Sequence, residues 1–226
     1  MNRPYIVCHM MQSVDGRVAC DMVDKISGDE YYDALASLDC PSHVEGKNSY
    51  QLHYCGFDEF KPINPGGIYS EKWYVANKTD MYSISVDTRG VLLWNDTDNT
   101  GRLCIVSEQA SPEYLAYLEK KGISYIAVGK DCVDLPRAME ILQKEFGVKR
   151  LAVVGGGKIN GAFLSAGLID ELSAMIAPGI DGRIGQPALF DTINDDERFM
   201  PVKLNFKEVK ALPNGVIWAR YNIIHS

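Results

Sequence analysis

The segment from Arg150 to Leu172, RLAVVGGGKINGAFLSAGLIDEL, constrains this chain more than any other. A short apolar run, Arg150 to Val154, ends in three consecutive glycines and passes straight into a helical pattern over Lys158 to Ala166. It therefore reads as a buried strand, a tight turn and a helix. Such a turn leaves unpaired backbone N–H groups and the positive end of a helix dipole beyond the strand, where a phosphate is stabilised. Glycine at Gly155, Gly156 and Gly157 would let a phosphate approach the backbone closely, although glycine also serves any turn that needs a positive φ. The Rossmann pattern G-x-G-x-x-G is only approximated by Gly155, Gly157 and Asn160, and it arrives late where it would normally open the first βαβ unit. A cofactor pyrophosphate held by Gly155, Gly156, Gly157, Lys158, Ile159 and Asn160 is the resulting expectation.

The same alternation extends upstream. Strands are predicted at residues 73–76, 82–86, 103–106 and 124–128, with helices at 112–121 and 135–146. Strand–helix alternation of this kind requires a parallel sheet covered on both faces. Near the start, residues 4–11 read as a buried strand closed by the Asp15-Gly16 turn, residues 29–38 as a helix, and residues 42–54 as a strand running into a helix near Gly46 to Ser49. Residues 57–71, with Pro62, Pro65 and the Gly66-Gly67 pair, read as loop. After a strand at 171–177, residues 202–212 and 215–224 read as strands joined at Pro213-Asn214-Gly215 into an antiparallel hairpin. The fold class expected is α/β, in one domain over residues 1–226.

Composition removes several functions. A net charge of −7 without a Lys/Arg stripe argues against nucleic acid as a partner. No apolar run approaches the ~20 residues needed to cross a bilayer. The N-terminus MNRPYIVCHMMQS reads as a first strand and not as a cleaved leader. Six scattered cysteines, with no CxxC pair, indicate neither a metal site nor a disulfide framework and fit a cytoplasmic location. Tyr117 and Lys121 form a Y-x-x-x-K pair of the kind some dehydrogenases use, but such pairs are common on exposed helices and this one reads as decoration.

Taken together, MMQSVDGRVA, EGKNSY and VVGGGKINGAFLSAGLIDELSAMIAPGIDG resemble the C-terminal reductase domain of the bifunctional riboflavin-biosynthesis deaminase/reductase, within the dihydrofolate-reductase-like superfamily. The resemblance spans residues 4–224. It implies a mainly parallel eight-stranded sheet, a homodimer, and NADPH lying along the C-terminal edge of the sheet. The implied reaction is hydride transfer to the ribosyl carbon of a small-molecule ribosylaminopyrimidine phosphate, which identifies the chain as an NADPH-dependent oxidoreductase.

By the same resemblance, Gly46, Lys47, Asn48 and Ser49 match a G-R-x-T turn that holds cofactor phosphates, with Lys47 lacking the fork of an arginine. The blander reading is a helix cap by Asn48 or Ser49. Thr88 and Arg89, with Ser107 as a second candidate, stand where related enzymes place donors for the 2′-phosphate, while Arg89 could equally be a solvated turn residue. Asp15 matches an aspartate near the family's active site, although Asp-Gly is itself a turn signature. Two departures stand out. The stretch LASLDCPSHVEG carries no arginine where these enzymes hold the substrate phosphate, and Gly155 replaces a usual glutamate. They leave open a reductase of the same fold acting on a pteridine or another metabolite, or a non-catalytic dinucleotide-binding module.

Overall fold

A computed structural model describes residues 2–95, 98–191 and 201–225. Along the chain the elements are β1 (Tyr5–Gln12), α1 (Cys20–Ile26), α2 (Glu30–Ala36), β2 (Ser42–Gly46), α3 (Lys47–Tyr50), β3 (Lys72–Tyr74), β4 (Ser83–Val86), β5 (Arg102–Val106), α4 (Pro112–Lys120), β6 (Ser124–Ala127), α5 (Leu135–Phe146), β7 (Arg150–Gly155), α6 (Gly157–Ser165), β8 (Glu171–Ile176), β9 (Leu204–Ala211) and β10 (Ile217–Ile223). The fold is α/β with mostly parallel strands and antiparallel C-terminal strands, as expected. Ten strands stand among the described residues where the resemblance implied eight. The chain divides into two compact units.

The first unit comprises Met1–Pro4 and Pro41–Leu151, with strands in the order β3-β6-β5-β4-β2. The pairs β2/β4, β4/β5 and β5/β6 are parallel, and only β3 runs antiparallel, against β6. Burial on both faces explains why β5 and β6 read as continuous apolar runs: Leu103, Cys104, Ile105, Val106 and all of β6 are buried. The connecting helices carry their own boundaries. Ser111 caps α4 by accepting from the Tyr114 N–H at 3.1 Å, with Pro112 at the first position. Asp134 caps α5 through the Arg137 N–H at 3.0 Å, and Gly147, left-handed at φ 76, ends it. The core gathers Trp94, Tyr50, Tyr114, Tyr125 and Leu118, where each large side chain stabilises the fold by about 2–3 kcal/mol through burial.

The second unit comprises Tyr5–Cys40 and Ala152–Ser226, with strands in the order β7-β1-β8-β10-β9. β1 and β8 are parallel, Val7 opposite Glu171, and β10 runs antiparallel to both β8 and β9. The turn between β9 and β10 places Asn214 and Gly215 at φ 59 and 82, a conformation suited to these two residues. Val7, Met11, Leu38, Met175 and Trp218 form the core. A polar chain threads it. The Trp218 indole N–H donates to Ser173 Oγ at 2.8 Å, and Ser173 Oγ lies 2.9 Å from His9 Nδ1. Nε2 of His9 faces the Tyr31 carbonyl at 3.1 Å, so the proton sits on Nε2 and Nδ1 accepts from the serine. Burial pushes the imidazole down to about 4, and it stays neutral.

Candidate functional site

In the first unit, two predicted groups sit at the ends of adjacent parallel strands. β2 ends at Gly46 and leads into α3, which continues as a wide turn over Gln51–Cys55. Gly46 has φ −74 and ψ 159, a conformation open to any residue. No side chain caps this helix start, so the capping role considered for Asn48 or Ser49 is not what the structure shows. Lys47 is half-buried and its Nζ lies 3.0 Å from Glu59 Oε1. Glu45 is buried one residue before the turn. Burial pushes its carboxyl up, against the pull of His53, whose Nδ1 lies 3.1 Å away.

The second group follows β4. Asp87 is buried, and its Oδ2 accepts from the N–H groups of Val91 and Leu92 at 2.6 and 2.8 Å, which closes a turn over Thr88, Arg89 and Gly90. Gly90 is required there. Its φ is 70, and a β-carbon would fall 2.4 Å from the ring of Tyr114. Ser107, at the end of β5, donates its hydroxyl to the Thr88 carbonyl at 2.7 Å, and the same carbonyl accepts the Ser107 N–H at 3.0 Å. Ser107 therefore braces the turn and has already committed its hydroxyl proton, whereas Arg89 is exposed and Thr88 half-buried. Thr88, Arg89 and Ser107 form one local group.

In the second unit the glycine turn divides by role. Gly156 has φ 71 and ψ 140, a conformation restricted essentially to glycine, and it is half-buried. Gly157 answers to a different demand. A β-carbon there would lie 2.3 Å from the Ala188 carbonyl oxygen and 2.6 Å from Asp191 Oδ2. The loop around residues 186–191 is laced onto the start of α6. The Asp191 N–H donates to the Gly157 carbonyl at 2.9 Å, and buried Asn160 donates its Nδ2 to the Leu189 carbonyl at 2.8 Å. Asn160, Ile159 and Gly157 are consequently buried, while Lys158 is exposed.

Asp15 belongs to the same loop system. Its carboxylate accepts from Ser13 Oγ at 2.6 Å and from the N–H groups of Asp181 and Gly182 at 3.0 and 2.9 Å. The Ser13 hydroxyl first, then the Gly182 and Asp181 amides, hold this exposed carboxyl well below the usual carboxylate range. Asp15 is thus an ionised acceptor at physiological pH and has no proton to donate. Arg17 donates Nη1 to the Gln186 carbonyl at 2.9 Å. SVDGR and VVGGGKIN are thereby tied to one loop, residues 179–191, of which the motifs include only the first residues, through Gly182. Ala188, Leu189 and Asp191 lie some thirty residues beyond the glycines, so local pattern carries no signal for them.

Tyr117 accepts the Trp94 N–H at 2.9 Å and donates to the Trp94 carbonyl at 3.3 Å, which leaves the Tyr117/Lys121 pair a structural part. Among the described residues no group of three His, Cys, Asp or Glu side chains could hold a metal ion, and no helix is long and apolar enough to cross a membrane.

Known proteins match this chain along most of its length. It is 26% identical over 223 residues to 2,5-diamino-6-ribosylamino-4(3H)-pyrimidinone 5′-phosphate reductase of Methanothermobacter thermautotrophicus, covering 95% of this chain and 96% of the relative. To the protein of the same name from Aquifex aeolicus it is 25% identical over 201 residues, covering 84% and 83%. Resemblance is thus to reductases of about this length as well as to the reductase part of a bifunctional protein. Among solved structures, a pyrimidine reductase-like protein of Corynebacterium diphtheriae superposes with a TM-score of 0.75 at 20% identity, covering 100% of this chain and 94% of that one. RibD of Acinetobacter baumannii superposes at 0.71 with 18% identity, and this chain spans 59% of its length. The family model described as the RibD C-terminal domain matches residues 72–218, and the chain belongs to that family.

Proposed function

We propose that this chain is an NADPH-dependent reductase of riboflavin biosynthesis, acting as a single-domain homodimer in the cytoplasm. Its substrate is a ribosylaminopyrimidine 5′-phosphate, either 5-amino-6-(5-phosphoribosylamino)uracil or the 2,5-diamino pyrimidinone that its relatives' names specify. The observation that carries this reading is family membership together with reductases that align over nearly their whole length.

The donor set supports a dinucleotide. In a chain of net charge −7, exposed Arg89 stands beside Thr88 at the end of one parallel strand, and Lys47 follows another. Exposed Lys158 opens α6 after a glycine that no side chain replaces without strain. These groups fit phosphates, with Arg89 and Thr88 assigned to the 2′-phosphate and Gly155, Gly156 and Lys158 to the pyrophosphate. When bound, the nicotinamide supplies the hydride. The protein then has to orient the acceptor carbon and exclude water. Asp15, fixed as a carboxylate, orders the 181–182 backbone beside the substrate and does not relay a proton.

A second reading rests on the absence of arginine from residues 35–46: a reductase of the same fold whose substrate lacks that phosphate. Mixing the protein with NADPH and each candidate pyrimidine separates the two. Loss of NADPH absorbance with a ribosylaminopyrimidine phosphate, but not with its dephosphorylated form, is the expected result. Turnover of a pteridine alone would favour the second reading, and NADPH-dependent thermal stabilisation without any turnover would leave only a binding module.

A further inference from the structure

Tyr69 joins a strained backbone to an open aromatic ring. Its φ is 56, in the left-handed region that bulky side chains rarely adopt, and 80% of its surface is exposed. The other described non-glycine residues with positive φ, Asp39 and Asn214, are of the short polar kinds that tolerate it. Strain of this sort persists only where the surrounding structure imposes it, and it gathers at ligand sites. The ring has no aromatic or cationic partner among the described residues.

The surroundings that impose it are the segment after β5 and the start of α4. A β-carbon on Gly67 would fall 2.3 Å from the Glu108 carbonyl oxygen and 3.0 Å from Gln109 Cα, so the loop runs hard against the residues that follow β5. The same Glu108 carbonyl accepts the Ile68 and Tyr69 N–H groups at 2.9 and 3.3 Å. Upstream, the Glu113 carboxylate on α4 accepts the Ile63 and Asn64 N–H groups at 2.7 and 3.1 Å and the Asn64 side-chain amide at 2.9 Å. Moored twice, the loop fixes the Tyr69 backbone and leaves its ring outside. Glu108 follows directly on Ser107, whose hydroxyl donates to the Thr88 carbonyl at 2.7 Å. Two consecutive residues therefore link Tyr69 to the turn over Thr88, Arg89 and Gly90, and all of these groups belong to the first unit.

We propose that Tyr69 is the platform on which the adenine base of the dinucleotide stacks. The inference deepens the NADPH reading above and rests on it, with Thr88 and Arg89 as donors to the 2′-phosphate. That phosphate and the adenine are carried by the same ribose, so a 2′-phosphate at the turn after β4 brings the base to an element next to that turn. The segment after β5 is such a neighbour, because β4 and β5 run parallel and end together, Val86 opposite Ile105. Anchored to that segment, Tyr69 offers a planar, exposed surface. An aromatic ring holds a base by its π face and needs no hydrogen-bond code to do so. Covering the ring also takes apolar surface out of water, which the loop cannot do by itself.

Calorimetry on the full chain with NADPH, NADH and adenosine 2′,5′-bisphosphate tests it. Tyr69→Asn removes the ring and keeps a residue that accepts a φ of 56. It should weaken all three ligands by the same factor, roughly tenfold, because each carries adenine. Tyr69→Phe, which keeps the ring, should bind all three as wild type does. If thermal melting shows the asparagine variant destabilised, Tyr69→Gly takes its place, since glycine relaxes the backbone and also lacks the ring. Unchanged affinity in the ringless variant overturns the proposal and leaves the NADPH reading standing. So does a loss that spares NADH, which would mean that Tyr69 acts by propping the Arg89 turn. A loss that spares the bisphosphate overturns it as well, by putting the ring against the nicotinamide half. A wild type that binds none of the three overturns the NADPH reading and this proposal together.

Discussion

The turn that follows β2 and the turn that follows β7 look alike as sequence, each a strand running through glycine into a helix, yet they keep their glycines for different reasons. Gly46 adopts an ordinary extended conformation, and nothing in its backbone demands the absence of a β-carbon. At the other turn, Gly156 has a positive φ and Gly157 is pressed against the Ala188 carbonyl. A glycine-rich motif therefore mixes positions retained for the chain's own packing with positions open to a ligand. In this protein Arg89 and Lys158, the exposed side chains beside the turns, are the groups on which the proposed phosphate contacts can be tested.

The sharpest test of that contrast is a pair of alanines. Gly157→Ala should lower stability by about 3 kcal/mol, because the intruding carbon meets backbone that cannot swing aside. Gly46→Ala should stay within about 0.5 kcal/mol of wild type. Denaturant titration reads both, and equal losses would erase the distinction between the turns. A smaller effect is expected at Arg89. Arg89→Ala should weaken NADPH by about 2 kcal/mol in calorimetry while leaving NADH nearly untouched, since under the proposed assignment the substitution removes a charge-assisted hydrogen bond to the 2′-phosphate. An equal loss for both cofactors would move the 2′-phosphate away from Thr88 and Arg89. Lys158→Ala should have the least effect, about 1 kcal/mol or less on either cofactor with no change in melting temperature, because the side chain is exposed and its attraction is screened. Unchanged affinity would take the pyrophosphate off the start of α6.

Much of this fold is legible in the sequence because its boundaries are locally encoded. Asp134 before Leu135-Pro136 and Gly147 after Phe146 bracket α5 at the residues where the pattern predicts it. The pattern does not predict α1. This helix has seven residues, follows Ala19 without a side-chain cap, and buries only Met22, so it depends on its surroundings more than on its own sequence. In the candidate site, the turns and the exposed cations are readable. The packing that turns Gly157, Asn160 and Ser107 into structural parts is not, because their partners, Ala188, Leu189 and Thr88, are brought to them by the tertiary fold. Asp15 is readable as a carboxylate at a strand end. Ser13, which does most to keep it ionised, is two residues away, but the clasp of Asp15 on the Asp181 and Gly182 amides depends on a loop some 165 residues away.

Each of the two compact units holds one deeply buried indole, Trp94 in the first and Trp218 in the second. The two have different electronic neighbours. Trp94 Nε1 donates to the Tyr114 hydroxyl at 3.2 Å, whereas Trp218 is bonded to a serine and lies near the cations of Lys210 and Arg220. The chain thus carries a native optical label in each half. With the third tryptophan, Trp73, replaced by phenylalanine, emission from single-indole variants follows each unit through a denaturant series. Coincident midpoints would mean that the halves melt as one cooperative body, and separate midpoints would assign each half its own free energy, with no dye or tag attached.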